Sequence, residues 1–255
     1  MPAPTNRFKA RLKAGDRLIG CWMSFAEPMT AEIMGTAGFD WLVIDGEHSP
    51  NDLRSIRDQL VALAASDAEP VVRVPIGETW MIKQMLDLGA QTVLVPMVET
   101  KEQAEALVRA CRYPPFGTRG VGAAAARATR FGAISDYVTT ADDQTCLLVQ
   151  VESRAGIAAL DDILSVDGVD GVFIGPADLS TDMGFQGKST APEVQEVIRG
   201  AIVRIAAAGK TPGILGTEDT VTEGYRDMGA QFLAVGIDVL LLARAARAAA
   251  AKWKA

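Results

Sequence analysis

The chain has 255 residues, 49% of them apolar and 22% charged, with a net charge of −7. That is enough to close one large core, as a single α/β barrel or two small domains. An acidic chain without a polybasic block or an Arg-rich stripe is a poor partner for nucleic acid. The charged amino terminus, MPAPTNRFKARLKAGDR, lacks the apolar core of a secretory signal. No run approaches the ~18 apolar residues of a membrane span. A cytoplasmic protein with no nucleic-acid or membrane partner is the expectation.

Along the chain, short apolar runs alternate with longer amphipathic stretches. The candidate strands are RLIGCWMSF (17–25), DWLVID (40–45), PVVRV (70–74), TVLVPMV (92–98), CLLVQVE (146–152), GVFIG (171–175), PGILG (212–216) and FLAVGID (232–238). Continuous Val/Ile/Leu runs suit parallel strands covered on both faces. Between them, PNDLRSIRDQLVALAAS, TWMIKQMLDLG, KEQAEALVRAC and PEVQEVIRGAIVRIAAAG have helical periodicity. Gly38, Gly89, Gly209 and Gly229 stand where a left-handed C-cap leads into the next strand. Eight strand–helix units in about 250 residues predict an α/β fold, a single (β/α)8 TIM barrel over 1–255, with a doubly wound open sheet as the competitor. The stretch 99–145, containing RYPPFGTRGVGAAAARATRFG, predicts a helix and then a long loop over one barrel mouth, the kind that covers a site. The terminal LLARAARAAAAKWKA predicts a last helix that packs on the barrel or swaps onto a partner subunit. Cys21, Cys111 and Cys146 are odd in number and free of C-x-x-C pairing, so neither a disulfide framework nor a zinc site is expected, and the thiols read as core filler.

Catalytic groups of such a barrel leave the carboxyl ends of its strands. Asp45, Glu47 and His48 close the second strand in IDGEH, Arg73 ends the third, Gln150 and Glu152 end the fifth, and Asp178 follows the sixth in GPADLS. His48 is the only histidine. It is a structural residue or, three positions after Asp45, a general base whose protonated form a carboxylate favours. Glu152 and Asp178 are helix caps or, on neighbouring strands, a hard-oxygen site for Mg²⁺ or Mn²⁺. Arg73 lies among apolar residues and must be paired or functional. It is a clamp for an anionic substrate or a structural salt bridge, with Asp87 as one partner. The eight lysines (Lys9, Lys13, Lys83, Lys101, Lys188, Lys210, Lys252, Lys254) all fall in helices, loops or tails, so no Schiff-base lysine is expected and an enolate would need a metal. GVGAAA (120–125) loosely matches a dinucleotide fingerprint but follows RYPPFGTR rather than a strand, so no NAD is expected.

Taken together, GFDWLVIDGEH, PVVRVP, LGAQTVLVPMV, RYPPFGTRGVG, LVQVES, GVDGVFIGPADLS, GKTPGILG and AVGID closely resemble the HpcH/HpaI aldolase family, in order, from about residue 7 to 250. The resemblance implies a class II, metal-dependent pyruvate aldolase using Mg²⁺, Mn²⁺ or Co²⁺. Such an enzyme reversibly cleaves 4-hydroxy-2-oxo acids, among them 4-hydroxy-2-oxoheptanedioate and 2-keto-3-deoxy sugar acids. The products are an aldehyde and pyruvate or a hydroxypyruvate-like 2-oxo acid, in aromatic-compound or sugar-acid catabolism. It further implies a homo-hexamer, a trimer of dimers with exchanged C-terminal helices.

Carried onto this chain, the resemblance makes His48 the acid/base, Arg73 the transition-state stabiliser, and Glu152 and Asp178 the metal ligands. Gln150, Asp178 and the backbone of Ala177 would meet the pyruvate part, and Asp87 with Asp45 would support the basicity of the histidine. Trp22, Val121, Arg127 and Leu215 are expected to shape the acceptor pocket. A citrate-lyase-β-like acyl-CoA lyase and a non-catalytic metabolite-binding barrel are the rival readings. An acidic chain with eight lysines advertises no patch for CoA phosphates. The joint presence of His48, Arg73, Glu152 and Asp178 speaks against a silent barrel.

Overall fold

Strands that are apolar on both faces need a partner on each side, and a closed barrel with an outer helical ring supplies both. The computed structural model describes residues Met1–Lys254 and has this form. Its strands are β1 (Leu18–Met23), β2 (Trp41–Asp45), β3 (Glu69–Arg73), β4 (Thr92–Val95), β5 (Cys146–Val151), β6 (Gly171–Ile174), β7 (Thr211–Leu215) and β8 (Phe232–Ile237). All pair in parallel and in chain order, and β8 closes on β1. The helices are α1 (Arg7–Lys13), α2 (Pro28–Gly35), α3 (Leu53–Ala62), α4 (Thr79–Asp87), α5 (Lys101–Cys111), α6 (Tyr137–Gln144), α7 (Arg154–Ala158), α8 (Leu160–Leu164), α9 (Pro176–Asp182), α10 (Pro192–Ala207), α11 (Asp219–Met228) and α12 (Asp238–Lys254). Each of the eight expected strands is present, and the four marked glycines adopt positive φ, between 70° and 106°. The open-sheet alternative is excluded.

Alternation along each strand sorts the core into two layers. In β2, Leu42 and Ile44 join the shell beneath the helices, while Trp41 and Val43 point into the barrel. The interior is an aromatic stack of Trp22, Trp41, Phe173 and Phe232, with neighbouring ring centroids 5.1–6.3 Å apart. Such rings fit only beside residues without side chains. A Cβ on Gly213 would stand 2.2 Å from the Phe232 ring. Helix α1 plugs the amino-terminal mouth, setting Phe8 against Trp41 at 5.8 Å and Phe232 at 6.2 Å. All three cysteines are buried, and burial pushes the Cys21 and Cys111 thiols up to about 12. They are core filler, as expected.

The loop after α5 departs from expectation, and α12 rules out one of the two courses expected of it. Helix α5 returns the chain to the amino-terminal end, so the loop 112–136 starts there and stays there. Its Arg119 donates to Asp87 at 2.9 Å, and Arg127 donates to the carbonyls of Leu88 (2.8 Å) and Leu60 (3.3 Å). These contacts lie where α3 and α4 end, at the mouth opposite the strand carboxyl ends. Within one chain the loop therefore covers no catalytic mouth. Helix α12 does not pack along the barrel either: Asp238 is its only buried residue, and Leu240, Leu241, Leu242 and Trp253 are exposed.

If α1 is the floor of the barrel, Phe8→Ala should cost about 3–5 kcal/mol, the usual penalty for emptying a buried aromatic position. Urea unfolding would measure it, and a loss below about 1 kcal/mol would mean the mouth closes without the ring.

Candidate active site

The inward alternation that carries aromatics through the barrel ends, at the carboxyl-terminal mouth, in polar groups: Asp45 on β2, Arg73 on β3 and Gln150 on β5. The register sets Asp45 directly beside Arg73. The guanidinium grips that carboxylate with two arms, Nε to Oδ1 at 2.9 Å and Nη2 to Oδ2 at 2.8 Å. Its Cζ lies 5.4 Å from the centroid of the Trp22 ring. The third arm, Nη1, is 2.8 Å from Glu47 Oε2. The alignment makes this an ionic contact only, and Oε2 is buried without a hydrogen-bond donor.

Asp45 also pins the turn that follows it. Its Oδ1 accepts from the backbone N–H of Glu47 (3.0 Å) and His48 (3.3 Å), while its carbonyl accepts from Asn51 Nδ2 (2.8 Å) and the Ser49 hydroxyl. The His48 side chain is 66% exposed, with Nε2 3.8 Å from Glu47 Oε1. Among the described residues no other carboxylate pairs with the ring.

Across the mouth, Glu152 is 3% exposed. Its Oε1 accepts from the Met97 N–H at 2.9 Å, and Oε2 accepts from Gln150 Nε2. Met97 turns that N–H inward by adopting a φ of 55°. Gly175 leaves the room: a Cβ there would lie 2.2 Å from Glu152 Oε2. Burial, first of all, holds the Glu152 carboxyl above its ordinary range, and the Asp178 and Glu47 charges push the same way. Burial likewise raises Glu47, with Arg73 opposing. Asp178 is exposed in the first turn of α9, a helix without a side-chain cap.

This set is short of positive charge. Two buried acceptors, Glu47 Oε2 and Gln150 Oε1, have no donor, and Glu152 is buried near a second carboxylate. Oxygen donors in that state suit a hard divalent cation, for which Glu152 and Asp178 are the available ligands. No group of three or more His, Cys, Asp or Glu side chains converges on one point among the described residues. A cation here would keep open positions for substrate oxygens and water, as catalytic rather than structural sites do.

The fold thus brings together Asp45, His48, Arg73, Gln150, Glu152, Ala177 and Asp178, with Trp22 beneath and Leu215 at the end of β7. It leaves Asp87, Val121 and Arg127 elsewhere. Asp87 ends α4 at the opposite mouth and pairs with Arg119, not Arg73, so within one chain it gives His48 no support. Asp45 is near, but its carboxylate serves Arg73 and the turn. Sequence reasoning gave no role to Glu47, although strand alternation sets it two residues beyond inward-facing Asp45. It also passed over Asp238, a buried acid closing β8 whose Oδ1 accepts from Ser24 N–H at 2.9 Å and so ties the β1 exit to α12.

Comparison with known proteins agrees with this geometry. Residues 18–245 match the family model described as HpcH/HpaI aldolase/citrate lyase. The chain is 62% identical over 254 residues to the hydroxypyruvate/pyruvate aldolase of Roseobacter denitrificans, covering 100% of this chain and 99% of that one. It is 53% identical over 250 residues to the 4-hydroxy-2-oxo-heptane-1,7-dioate aldolase of Shigella sonnei, covering 98% and 95%. Its fold is similar to the crystal structure of an HpcH/HpaI aldolase/citrate lyase family protein from Burkholderia cenocepacia, with a TM-score of 0.95, 39% identity, and 98% and 100% coverage.

Two outcomes follow for Glu152. Gly175→Ala should push its carboxylate aside and weaken Mn²⁺ binding about 10- to 100-fold in a chain that still folds, as displaced supporting contacts do at other metal sites. A raised folded-state pKa means that the protonated carboxyl stabilises the metal-free fold fully below the unfolded value, and that this contribution fades as pH rises through the folded one. A cation must displace that proton, so Mn²⁺ affinity should fall as the pH is lowered into the range above that where an ordinary glutamate titrates. Calorimetric titration checks both, and a flat affinity over that range would remove Glu152 from the ligands.

Proposed function

The chain belongs to the HpcH/HpaI aldolase/citrate lyase family, and from that premise we propose a divalent-metal-dependent aldolase that cleaves 4-hydroxy-2-oxo acids. The products are an aldehyde and pyruvate or hydroxypyruvate. The observation that carries this reading is the mouth itself: a buried Glu152 with Asp178 near it, Arg73 with one arm outside its pairing to Asp45, and an exposed imidazole on the same rim.

Glu152 and Asp178 would hold a divalent cation, and such a cation would supply Lewis-acid polarisation of the 2-oxo group. The residues of the chain do the rest. Arg73, held rigid by Asp45, offers Nη1 to the oxygen on which negative charge develops, a preorganised contribution of about 3–4 kcal/mol at comparable sites. His48 takes the proton of the 4-hydroxyl as the carbon–carbon bond breaks, and returns it in the reverse direction. With no side-chain cap on the first turn of α9, the Ala177 N–H is available to the carboxylate of the oxo acid. Gln150 fixes Glu152 from below, and its free Oε1 accepts from substrate or water. Trp22 forms the floor under Arg73, and Leu215 stands where an acceptor aldehyde would contact the rim.

Mg²⁺ and Mn²⁺ suit this oxygen-rich donor set, and Co²⁺ is the third metal of the proposal. The exposed Leu240, Leu241, Leu242 and Trp253 of α12 support an interface with another subunit, which the proposed homo-hexamer, a trimer of dimers with exchanged helices, would supply. A cytoplasmic role in aromatic-compound or sugar-acid breakdown, on small 2-oxo acids and aldehydes rather than nucleic acid or membranes, fits the acidic chain; among the described residues no helix is long and apolar enough to cross a membrane.

EDTA should abolish release of pyruvate from 4-hydroxy-2-oxoheptanedioate, and Mg²⁺, Mn²⁺ or Co²⁺ should restore it. Borohydride with pyruvate should trap no adduct on any lysine; a reduced lysine adduct would overturn the metal-dependent class. His48→Ala should lower cleavage about 10²–10⁴-fold, the range of a positioned acid/base, with metal affinity nearly unchanged. Near-parent cleavage by that variant would take the imidazole out of the mechanism.

A further inference from the structure

We propose that Asp238 is a positioning residue for the aldehyde side of this site. Its buried carboxylate fixes the loop of residues 24–27 at the mouth, and with it the wall that an aldehyde meets. The inference rests on the aldolase reading for its catalytic meaning and deepens it. Strand pairing alone leaves this corner of the barrel loose. β1 and β8 run in register up to Gly20 and Ala234, but Trp22 then faces Ile237, so β8 carries an extra residue there. Both ladders of β1 have ended by Met23, and the loop that follows needs another anchor.

Asp238 supplies it. Its Oδ1 accepts from the Ser24 N–H at 2.9 Å and from the Val239 N–H at 2.6 Å, while Oδ2 accepts from the Phe25 N–H at 3.3 Å. One side chain thus holds the exit of β1 and the start of α12 together. The loop is also strained, because Ala26 adopts a φ of 60° just before α2. Such a conformation persists only where surrounding contacts over-determine it. A carboxylate is a costly anchor here: Asp238 is 3% exposed, and the Asp45 charge works against it. Asn or Ser would start a helix without that cost. What a carboxylate adds is acceptance on both oxygens, and both are used. In a closed barrel of eight strands β1 stands opposite β5, so the loop lies across the mouth from Glu152, on the side of Trp22. A 2-oxo acid bound at Glu152 and Asp178 leaves that side to the aldehyde.

The two halves of the reaction are read separately in the Mg²⁺-loaded protein. Deuterium exchange of the pyruvate methyl protons needs the 2-oxo acid alone, whereas addition of succinic semialdehyde to pyruvate needs both partners. Asp238→Asn should raise KM for the aldehyde about 10-fold and leave KM for pyruvate and methyl exchange within about twofold, the scale of a lost pocket contact on one side only. Native-state hydrogen exchange should find the Ser24 and Phe25 amides protected in the parent and about 10-fold faster in the variant. If Asp238→Asn does not fold, Asp238→Ser, which keeps an acceptor for the Val239 N–H, carries the same comparison. An unchanged aldehyde KM, an equal loss in both reactions, or unprotected Ser24 and Phe25 amides in the parent would overturn the proposal. A parent that neither exchanges nor adds would overturn the aldolase reading, and the two amides would then judge the hold of Asp238 on the loop.

Discussion

One guanidinium held against two carboxylates sets the chemistry of the whole mouth. Burying Arg73 with Asp45 costs desolvation that only good geometry offsets, and the paired strand register with two parallel contacts provides it. The Trp22 face covers the remaining side of the cation. Yet Asp45, Glu47, Glu152 and Asp178 are four carboxylates against one arginine, a surplus of three negative charges when all are ionised. A 2-oxo acid is itself an anion and would be repelled by such a mouth. A divalent cation cancels two of those three charges, which ties metal dependence and substrate charge to the same residues.

The barrel makes this arrangement possible by separating two demands. Its lower layers hold stacked aromatics around Phe8, Trp41 and Phe232, stable without any polar group. Its top layer is then free to carry side chains that are poorly satisfied in the metal-free state. Burial that raises the Glu152 carboxyl is a cost to the fold and a preparation for the ligand. The two orphaned acceptors, Glu47 Oε2 and Gln150 Oε1, belong to the same compromise.

The barrel and most of the mouth were legible in the sequence, because both follow from local rules. Continuous apolar runs ending in Asp45, Arg73, Gln150 and Glu152 give strand, direction and site together, since parallel strands present their carboxyl ends on one side. Contacts set by the path of a loop were not legible. The loop 112–136 reads as a site cover, but its place depends on where α5 delivers the chain and on Arg119 finding Asp87. Pairing carries the same lesson: spacing in the chain nominated Asp45 for His48, whereas strand register gave Asp45 to Arg73 and left Glu47 beside the ring. For α12, the Ala-rich sequence with its Leu residues and Trp253 is compatible with packing or projection, and only the structure shows that it projects.

The central claim, that Glu152 and Asp178 form a cation site the fold holds ready, is tested most directly by thermal unfolding of the metal-free protein with increasing Mn²⁺. At a hundredfold excess over Kd the ligand should stabilise the parent by about 2.7 kcal/mol. For a chain of this size that is a rise in Tm of roughly 5–10 °C. Glu152→Gln should lose most of that rise. A parent whose Tm ignores Mn²⁺, or a Gln variant that gains as much as the parent, would contradict the account.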